Sequence, residues 1–363
     1  MKTTLTLLAS LATSAALAAG YSIQGLDFTG AVETYGYGLN DHGVVVGYGI
    51  DAGGVSRAFS WQNGVSTALS PLATSSEAYR INNKGQIVGK AATGAAAPHA
   101  TLWDTDGATD LGTLGGDHSF ANDINEAGVV AGSAGAEKGS HAFIWTKDGG
   151  MVDYGNLNPD DGFQHAGFNG INESGLMVGT AYRLFTPYHA AMAKPGDKAL
   201  SDIAGPGRYS ASMAMAVNDA GTIVGWSNNG SGNGHAAILN GDGTYLDLGS
   251  LGLDESRAFD INEAGDIVGE VSGYDDEGFA VGAAFLYTKG TMVNLNDLLP
   301  TGTGWDGVLE AHGINNKGQI VGVGLYGGEI RGFVLTPEAV PEPASMAALG
   351  YGALAVLRRR ARR

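Results

Sequence analysis

Four histidines recur in one short apolar phrase of the sequence, and clustered histidines are a common source of metal ligands. They occupy the same place in successive copies of a repeat, as in HATLW and HAFIW, so each would lie on a different unit of the fold. We therefore expect each imidazole to make a structural hydrogen bond to a neighbouring turn, and the sequence predicts no metal site. The residues are His99, His141, His189 and His235.

Acidic residues crowd several loops and raise the question of calcium binding. Asp104, Asp106 and Asp110 surround one glycine turn, and the segments 160–161 and 275–277 add two further clusters. Calcium takes about six to eight oxygen ligands, and none of these loops offers a complete, regularly spaced set. Solvated turns are the favoured interpretation, so no cofactor is predicted, while calcium stays open as an alternative.

Enzymatic motifs are absent from the sequence. It contains no G-x-S-x-G, H-E-x-x-H or Walker phrase, and it has no cysteine to act as a nucleophile. Arg80, Asp123 and Asp260 each stand two residues before the asparagine of a repeated turn, where they could line a polar channel mouth. No catalytic residue is predicted, and a glycan-active hydrolase or lyase using these carboxylates is the alternative to a binding protein.

Aromatic residues stand in the longest and least regular loops. Aromatic rings flanked by Asp and Gly suit stacking on a sugar ring or packing against a partner protein. The alternative is that they cover the edges of the sheets as local core. These candidate ligand-face residues are Tyr182, Phe185, Tyr188, Tyr274 and Trp305.

The composition indicates a turn-rich, acidic protein. Glycine makes up 60 of the 363 residues, more than twice the usual share of about 7%. The net charge is −17, and without Lys2 and the five arginines of 358–363 it is 14 − 37 = −23. Such a body repels phosphate backbones, so no nucleic-acid partner is expected.

A turn phrase recurs seven times as LNDHG, INNKG, INEAG, INESG, VNDAG, INEAG and INNKG. Its asparagine fits the first position of a type I turn, and its glycine fits the fourth position, where a left-handed residue closes a hairpin. A second element such as RAFSW or HAFIW follows, and then a third such as TDLGTLGG. The asparagines are Asn40, Asn82, Asn125, Asn172, Asn218, Asn262 and Asn315, spaced 42, 43, 47, 46, 44 and 53 residues apart.

This period predicts an all-β, seven-bladed β-propeller over residues 21–336 with four strands per blade. Residues 21–28 match the third element, and the seventh unit ends without one, so we expect the N-terminal strand to complete the last blade. The short turns of every unit lie on one face in this fold. The irregular loops 155–166, 181–188, 271–282 and 298–310 lie on the opposite face, where function is expected.

The combination of turn phrase, His-Ala-Phe element and DLG strand resembles the HAF family of extracellular repeats. The resemblance covers roughly residues 21–335. It implies a repeat architecture and an extracellular location rather than a particular chemistry.

Both ends of the chain are predicted to direct export. Residues 1–20 combine Lys2, an apolar stretch and an A-x-A site at 16–18, which is typical of a secretory signal peptide. Residues 337–363 contain Pro341, Glu342 and Pro343, an apolar stretch that could form a short transmembrane helix, and an arginine cluster.

The order of features at the C-terminus resembles the PEP-CTERM sorting signal of Gram-negative bacteria. The resemblance implies recognition by an exosortase-type membrane protease, transient anchoring in the inner membrane, and delivery to the cell surface or extracellular matrix. The expected function is therefore that of a non-enzymatic, surface- or matrix-associated module for extracellular polysaccharide or protein.

Overall fold

The computed structural model describes residues 20–70, 74–94, 97–157, 165–182, 188–204, 211–228, 232–275 and 277–338. The predicted signal peptide apart from Gly20, the sorting residues Pro341 to Pro343 and the apolar tail lie outside these ranges. Within them, secondary structure consists of β-strands and one 3₁₀-helix, Leu295–Leu298. The fold is an all-β propeller.

Four blades each consist of four consecutive antiparallel strands. They are β2 (Ala31–Leu39), β3 (Val45–Asp51), β4 (Ser56–Gln62) and β5 (Val65–Ala68); β6 (Ser76–Ile81), β7 (Ile87–Ala92), β8 (Pro98–Asp104) and β9 (Gly107–Asp110); β18 (Ser212–Val217), β19 (Ile223–Asn228), β20 (Gly234–Leu239) and β21 (Tyr245–Asp247); and β22 (Glu255–Ile261), β23 (Ile267–Tyr274), β24 (Ala280–Thr288) and β25 (Thr291–Asn294).

A fifth four-stranded blade joins the two ends of the described chain. It consists of β26 (Trp305–Ile314), β27 (Ile320–Tyr326), β28 (Glu329–Pro337) and the N-terminal β1 (Tyr21–Gly25). β1 pairs antiparallel with β28, from Tyr21 opposite Pro337 to Gly25 opposite Phe333. The N-terminal strand therefore completes the last sheet, as the sequence predicts.

The prediction of seven separate four-stranded blades is wrong, because the described strands form five such blades and one eight-stranded sheet. Its strands are β10 (Ser119–Ile124), β11 (Val130–Gly135), β12 (Ser140–Thr146), β13 (Gly150–Gly155), β14 (His165–Ile171), β15 (Met177–Tyr182), β16 (Tyr188–Ala193) and β17 (Ser201–Asp202).

A parallel pair between Ser140 and His165 joins the two halves of the eight-stranded sheet. At other junctions a serine hydroxyl connects neighbouring sheets, as where the Ala100 N–H donates to Ser119 Oγ at 2.8 Å. The corresponding residue of β14 is Ala166, which has no hydroxyl, and at this junction the main chains pair directly.

The repeated turns form the inner end of every sheet. The glycine at the fourth position of each turn has positive φ, between 72° and 81°, and its N–H donates to the carbonyl of the turn asparagine. Each asparagine side chain also donates from Nδ2 to the carbonyl of the next turn asparagine, and Asn315 closes the ring onto Asn40 at 3.0 Å. The asparagines are turn formers, as predicted, and they also link every repeat to the next. We call this side the turn face.

Core packing explains the His-Ala-Phe element. Its alanine and aromatic residues face the interior between sheets: Ala58, Phe59, Ala142 and Phe143 are completely buried. The small alanines allow neighbouring sheets to approach closely, and the aromatic rings fill the widening space towards the rim.

Candidate functional site

The four repeated histidines are structural. Each donates its Nδ1–H, at 2.8–3.0 Å, to the carboxylate of an aspartate on the outer strand of its own repeat unit, rather than to a turn. The same aspartate also accepts an N–H from the residue two positions later. Among the described residues, no group of three or more His, Asp or Glu side chains is arranged to hold a metal ion. The pairs are His99–Asp110, His141–Asp153, His189–Asp202 and His235–Asp247.

The acidic loops are organised as turns where the structure describes them. Asp104 accepts the Asp106 N–H at 2.8 Å, and Asp110 is bonded to His99. Segment 160–161 and residue 276 lie outside the described ranges. The prediction of no cofactor, with calcium as its alternative, stays a prediction.

Arg80, Asp123 and Asp260 lie inside the central channel, where they connect neighbouring repeats. The Arg80 guanidinium donates to the Tyr37 carbonyl at 2.9 Å. Asp123 accepts the Ile171 N–H at 2.8 Å, and Asp260 accepts the Ile314 N–H at 2.9 Å. Both carboxylates are therefore engaged in holding the ring together.

The environment of these carboxylates favours their protonated forms. Burial raises the pKa of Asp123 to about 6, although the positive charge of Arg80 and two backbone N–H donors act in the opposite direction. Burial also raises the pKa of Asp260, again opposed by Arg80. Arg80 is therefore coupled electrostatically to Asp123 and Asp260, and each of the three side chains has a backbone hydrogen-bond partner.

A stack of aromatic rings surrounds the end of the channel opposite the turn face. Tyr37 stacks on His312 with ring centroids 4.5 Å apart, and Tyr48 lies between Tyr37 and Tyr35 at 5.6 and 4.9 Å. Tyr79 lies 5.6 Å from Tyr37. We call this group the aromatic mouth; its rings are Tyr35, Tyr37, Tyr48, Tyr79 and His312.

The inner strands position these rings. Tyr37, Tyr79 and His312 each come three residues before a turn asparagine, which places them at one level of the channel. Each is the extra residue of a β-bulge, as Tyr37 is between Gly36 and Gly38 of β2, and the bulge redirects its side chain. A cavity of about 320 Å³ lies beside Tyr37, Tyr79 and Arg80.

Carboxylates hold the tyrosine hydroxyls of the aromatic mouth. The Tyr79 hydroxyl donates to Glu77 at 2.9 Å, and Lys90 pairs with the same carboxylate at 3.0 Å. The Tyr35 hydroxyl donates to Glu33 at 2.9 Å. Burial, with the nearby negative charge of Glu33, raises the pKa of Tyr35 to about 12, so this tyrosine is a neutral donor at physiological pH.

A second charged group adjoins His312. Its Nδ1 lies 2.9 Å from the Gly36 carbonyl, an acceptor only, so Nδ1 carries a proton. Its Nε2 lies 2.7 Å from the Glu310 carboxylate, and this hydrogen bond lowers the pKa of Glu310. Burial raises the pKa of Glu270, which Arg257 contacts at 3.0 Å.

The sequence-predicted aromatic residues do not form one cluster. Tyr182 and Tyr188 face each other across β15 and β16 with centroids 5.4 Å apart. Tyr274 is 70% exposed at the end of β23, and Trp305 is half-buried in the closing sheet. Phe185 lies outside the described residues. Whether these residues bind a ligand stays a prediction.

Sequence reasoning missed the aromatic mouth. The sequence does contain a signal for it, because aromatic residues stand on the innermost strands just before the turns, as in TYGYGLN of the first repeat and EAYRIN of the second. In a strand every second side chain points to the same side, which here is the channel. The rings come from the first, second and last repeats, so their proximity depends on closure of the ring.

Two family models match parts of the chain. Residues 197–333 match a family described as "Protein of unknown function (DUF3466)", and residues 339–363 match the PEP-CTERM protein-sorting motif. The protein carries a PEP-CTERM motif. Pro341, Glu342 and Pro343 lie within the matched segment. The motif is a sorting signal recognised by an exosortase, and it indicates export and sorting to the surface of a Gram-negative cell.

Other comparisons are distant. No curated protein matches the chain. Among solved structures it is similar to TolB from Acinetobacter baumannii, with 11% identity, a TM-score of 0.42 and coverage of 81% of this chain and 64% of TolB, so it spans less than two thirds of that protein. It is also similar to a proposed gluconolactonase, with 10% identity, a TM-score of 0.41 and coverage of 88% and 92%.

Three sequence-based predictions are left open by these comparisons. The HAF-type repeat and the signal peptide stay predictions. In the described part of the chain, none of the helical structure is long and apolar enough to cross a membrane. The predicted transmembrane stretch lies beyond Glu338, outside the described residues.

Proposed function

We propose that this exported propeller is a non-enzymatic binding module for extracellular polysaccharide and that it takes a sugar segment at the aromatic mouth. The observation that carries the proposal is the open cavity lined by Tyr37, Tyr79 and Phe120. Tyr37 belongs at the same time to the ring stack that Tyr35, Tyr48 and His312 complete. Flat aromatic faces pack against the C–H face of a pyranose ring, while neighbouring polar groups bind its hydroxyls.

Charge favours a neutral polysaccharide over an anionic one. The protein carries a net charge of −17. Around the mouth, the four carboxylates Glu33, Glu77, Glu270 and Glu310 outnumber the three cations Arg80, Lys90 and Arg257. Uronic-acid or sulfated chains would therefore be repelled, whereas carboxylates can accept hydrogen bonds from neutral sugar hydroxyls.

The experiment compares retention of the exported protein on neutral and anionic polysaccharides. Wild-type protein should bind a neutral matrix, and Tyr35→Ala and Tyr79→Ala should each weaken binding about tenfold or more, because stacking is lost. Tyr245→Ala, on outer strand β21, is the matched control and should bind as wild type. Unchanged binding by both mouth variants, or no binding by wild type, contradicts the proposal.

The position of the sorting tail supports this choice of binding face. The last described residue, Glu338, donates its N–H to the Gly20 carbonyl at 2.8 Å. Just before it, Thr336 accepts a hydrogen bond from Gln319 of a repeated turn at 3.2 Å. The tail therefore leaves from the turn face, and the aromatic mouth opens on the opposite side.

We also propose that an exosortase trims the tail near Pro343 before the protein reaches the surface. Mass spectrometry of surface material should show a C-terminus close to this residue. A protein that retains the arginine cluster on the surface would contradict this step. The same spectrum tests the signal peptide, because the mature chain should begin close to Gly20.

One observation favours a hydrolase or lyase as the second candidate function. Glu270 and Glu310 lie near each other and their pKa values are shifted in opposite directions, as in the acid and base of a glycan-cleaving site. Glu270 would act as the acid and Glu310 as the base. Release of reducing ends from a bound polysaccharide, abolished by Glu270→Gln and Glu310→Gln, would distinguish catalysis from binding alone.

A further inference from the structure

A second cavity, of about 500 Å³, lies in the closing sheet. It opens beside the end of β1 and the β27–β28 hairpin, on the face opposite the turn face, which we call the irregular face after its irregular loops. Its walls combine aromatic, apolar and charged side chains from both ends of the described chain. They include Ile23, Asp27, Trp305, Tyr326, Glu329 and Arg331.

The indole of Trp305 forms a fixed platform in this cavity. It is half-buried, with Tyr326 packed against it edge-on at 5.5 Å and Phe333 at 6.0 Å, nearly perpendicular. Tyr326 itself is 47% exposed at the rim. An immobilised indole that still faces solvent loses little conformational entropy when a flat ligand stacks on it.

Charged groups flank this platform. Arg331 pairs with Glu329 at 2.9 Å, so the guanidinium is oriented and its remaining N–H groups are available as donors. Asp27 adds an exposed carboxylate on the opposite wall. Donors and acceptors around a central aromatic surface match a pyranose ring, which has an apolar C–H face and hydroxyls along its edge.

The N-terminal strand supplies one wall of the cavity. Ile23, Gly25 and Asp27 line it, and they reach this position only because β1 pairs with β28. Gly25 has no side chain to fill the space, and a Cβ added there would lie 3.8 Å from the Trp305 ring, an ordinary contact. A larger side chain at residue 25 would therefore occupy the cavity without straining the strand.

We propose that this cavity is a second carbohydrate site, for one neutral pyranose residue, independent of the aromatic mouth. Sugar binding requires a docked β1, so an occupied cavity stabilises the closed ring by mass action. Two sites on the same face would allow one polysaccharide chain to be held at two points, which raises its avidity.

The experiment titrates the exported protein with neutral gluco-, galacto- and manno-oligosaccharides by calorimetry and measures the melting temperature with each. At least one should bind and raise the melting temperature of wild type. Trp305→Ala and Gly25→Leu should each weaken this binding about tenfold or more. Gly25→Leu keeps the indole in place and tests the cavity even if Trp305→Ala disturbs the core. Tyr245→Ala is the control.

The outcomes separate the two sites. If Trp305→Ala and Gly25→Leu bind as tightly as wild type while Tyr35→Ala does not, the cavity proposal fails and the aromatic mouth stands. If Tyr35→Ala binds normally and both cavity variants do not, the cavity is supported on its own. Absence of binding by wild type to every oligosaccharide overturns the cavity proposal.

Discussion

Asp123 makes the stability of the ring depend on pH at a single residue. Its pKa is about 6 in the folded protein and about 3.9 in an unfolded chain. Between these values the folded state binds more protons, so the stability contributed by this residue falls by about 2 kcal/mol as pH rises from 4 to 7. Asp123→Asn cannot lose a proton, and its unfolding free energy relative to wild type should rise by about that amount over this range.

Urea denaturation at pH 4 and pH 7 measures this difference. Asp242→Asn is the control, and its effect on stability should change with pH in the opposite direction, because hydrogen bonds from Thr244 lower the pKa of Asp242. Because the folded pKa of Asp242 lies below its unfolded value of about 3.9, wild type gains stability relative to this control mainly below pH 4, and the two should differ little between pH 4 and pH 7. A difference between Asp123→Asn and wild type that does not change with pH would contradict the argument.

Each aspartate paired with a repeated histidine should stabilise the fold through two interactions, one with the imidazole and one with a backbone N–H. Asp110 holds His99 and also accepts the Gly112 N–H at 2.8 Å. Asp110→Ala removes both interactions and should lower the free energy of unfolding by about 1–2 kcal/mol. Asp106→Ala, which breaks only an exposed pair with Lys147 at 3.4 Å, should change it by less than about 0.5 kcal/mol. Equal effects in thermal denaturation would contradict this assignment.

Single residues were predictable where their role is local. The Asn and Gly of each turn follow from the φ angles that a tight turn requires, and the structure confirms both. The structural role of the histidines followed from their equivalent places in the repeat. The aromatic mouth was not predictable in this way, because Tyr37 and His312 are 275 residues apart and meet only when the ring closes.

The strands followed from the repeat, but their grouping into sheets did not. A repeated phrase counts turns, whereas a sheet is defined by hydrogen bonds between strands. One parallel pair between Ser140 and His165 is enough to join two repeats into an eight-stranded sheet. Ala166 stands where four other repeats have a serine, but the last repeat also lacks one, at Leu309, and forms a separate sheet, so the sequence at this position does not predict main-chain pairing.

β1 is the element on which closure depends. Tyr21 of β1 is part of the buried core, and Leu26, just after the strand, is completely buried. β1 also covers the edge of β28. Deleting residues 20–28 from the mature chain should lower the melting temperature by more than about 10 °C and expose an edge strand that promotes association. A synthetic peptide of residues 20–28 should restore the lost stability, whereas the same peptide with Ile23→Pro should not.

Deletion of residues 339–363 is the control for this truncation. These residues follow the last described contact, between Glu338 and Gly20, so the purified protein should melt as wild type without them. Light scattering and calorimetry measure both effects. A chain without β1 that stays monomeric and melts normally would show that the ring does not depend on this strand.

At the scale of the whole molecule, the place where the tail leaves fixes which face points outward during sorting. Six residues, 338–343, separate the body from the apolar stretch and reach at most about 20 Å. β28 has nine residues and spans about 30 Å from the irregular face to the turn face. If the apolar stretch anchors the precursor, the tether is too short to lay the irregular face on the membrane, and the aromatic mouth must point away from it.

The absence of cysteine from the sequence makes this orientation measurable. Single cysteines at Tyr274, on the irregular face, and at Lys84, on the turn face, can be labelled with a bulky maleimide in spheroplasts that retain the precursor. Tyr274→Cys should react as fast as in the protein lacking 339–363, because its face is open to solvent. Lys84→Cys should react several-fold more slowly than in that control, because the membrane lies against its face. Equal protection of both cysteines, or protection of Tyr274→Cys alone, would contradict the orientation and the argument that the binding face is presented outward.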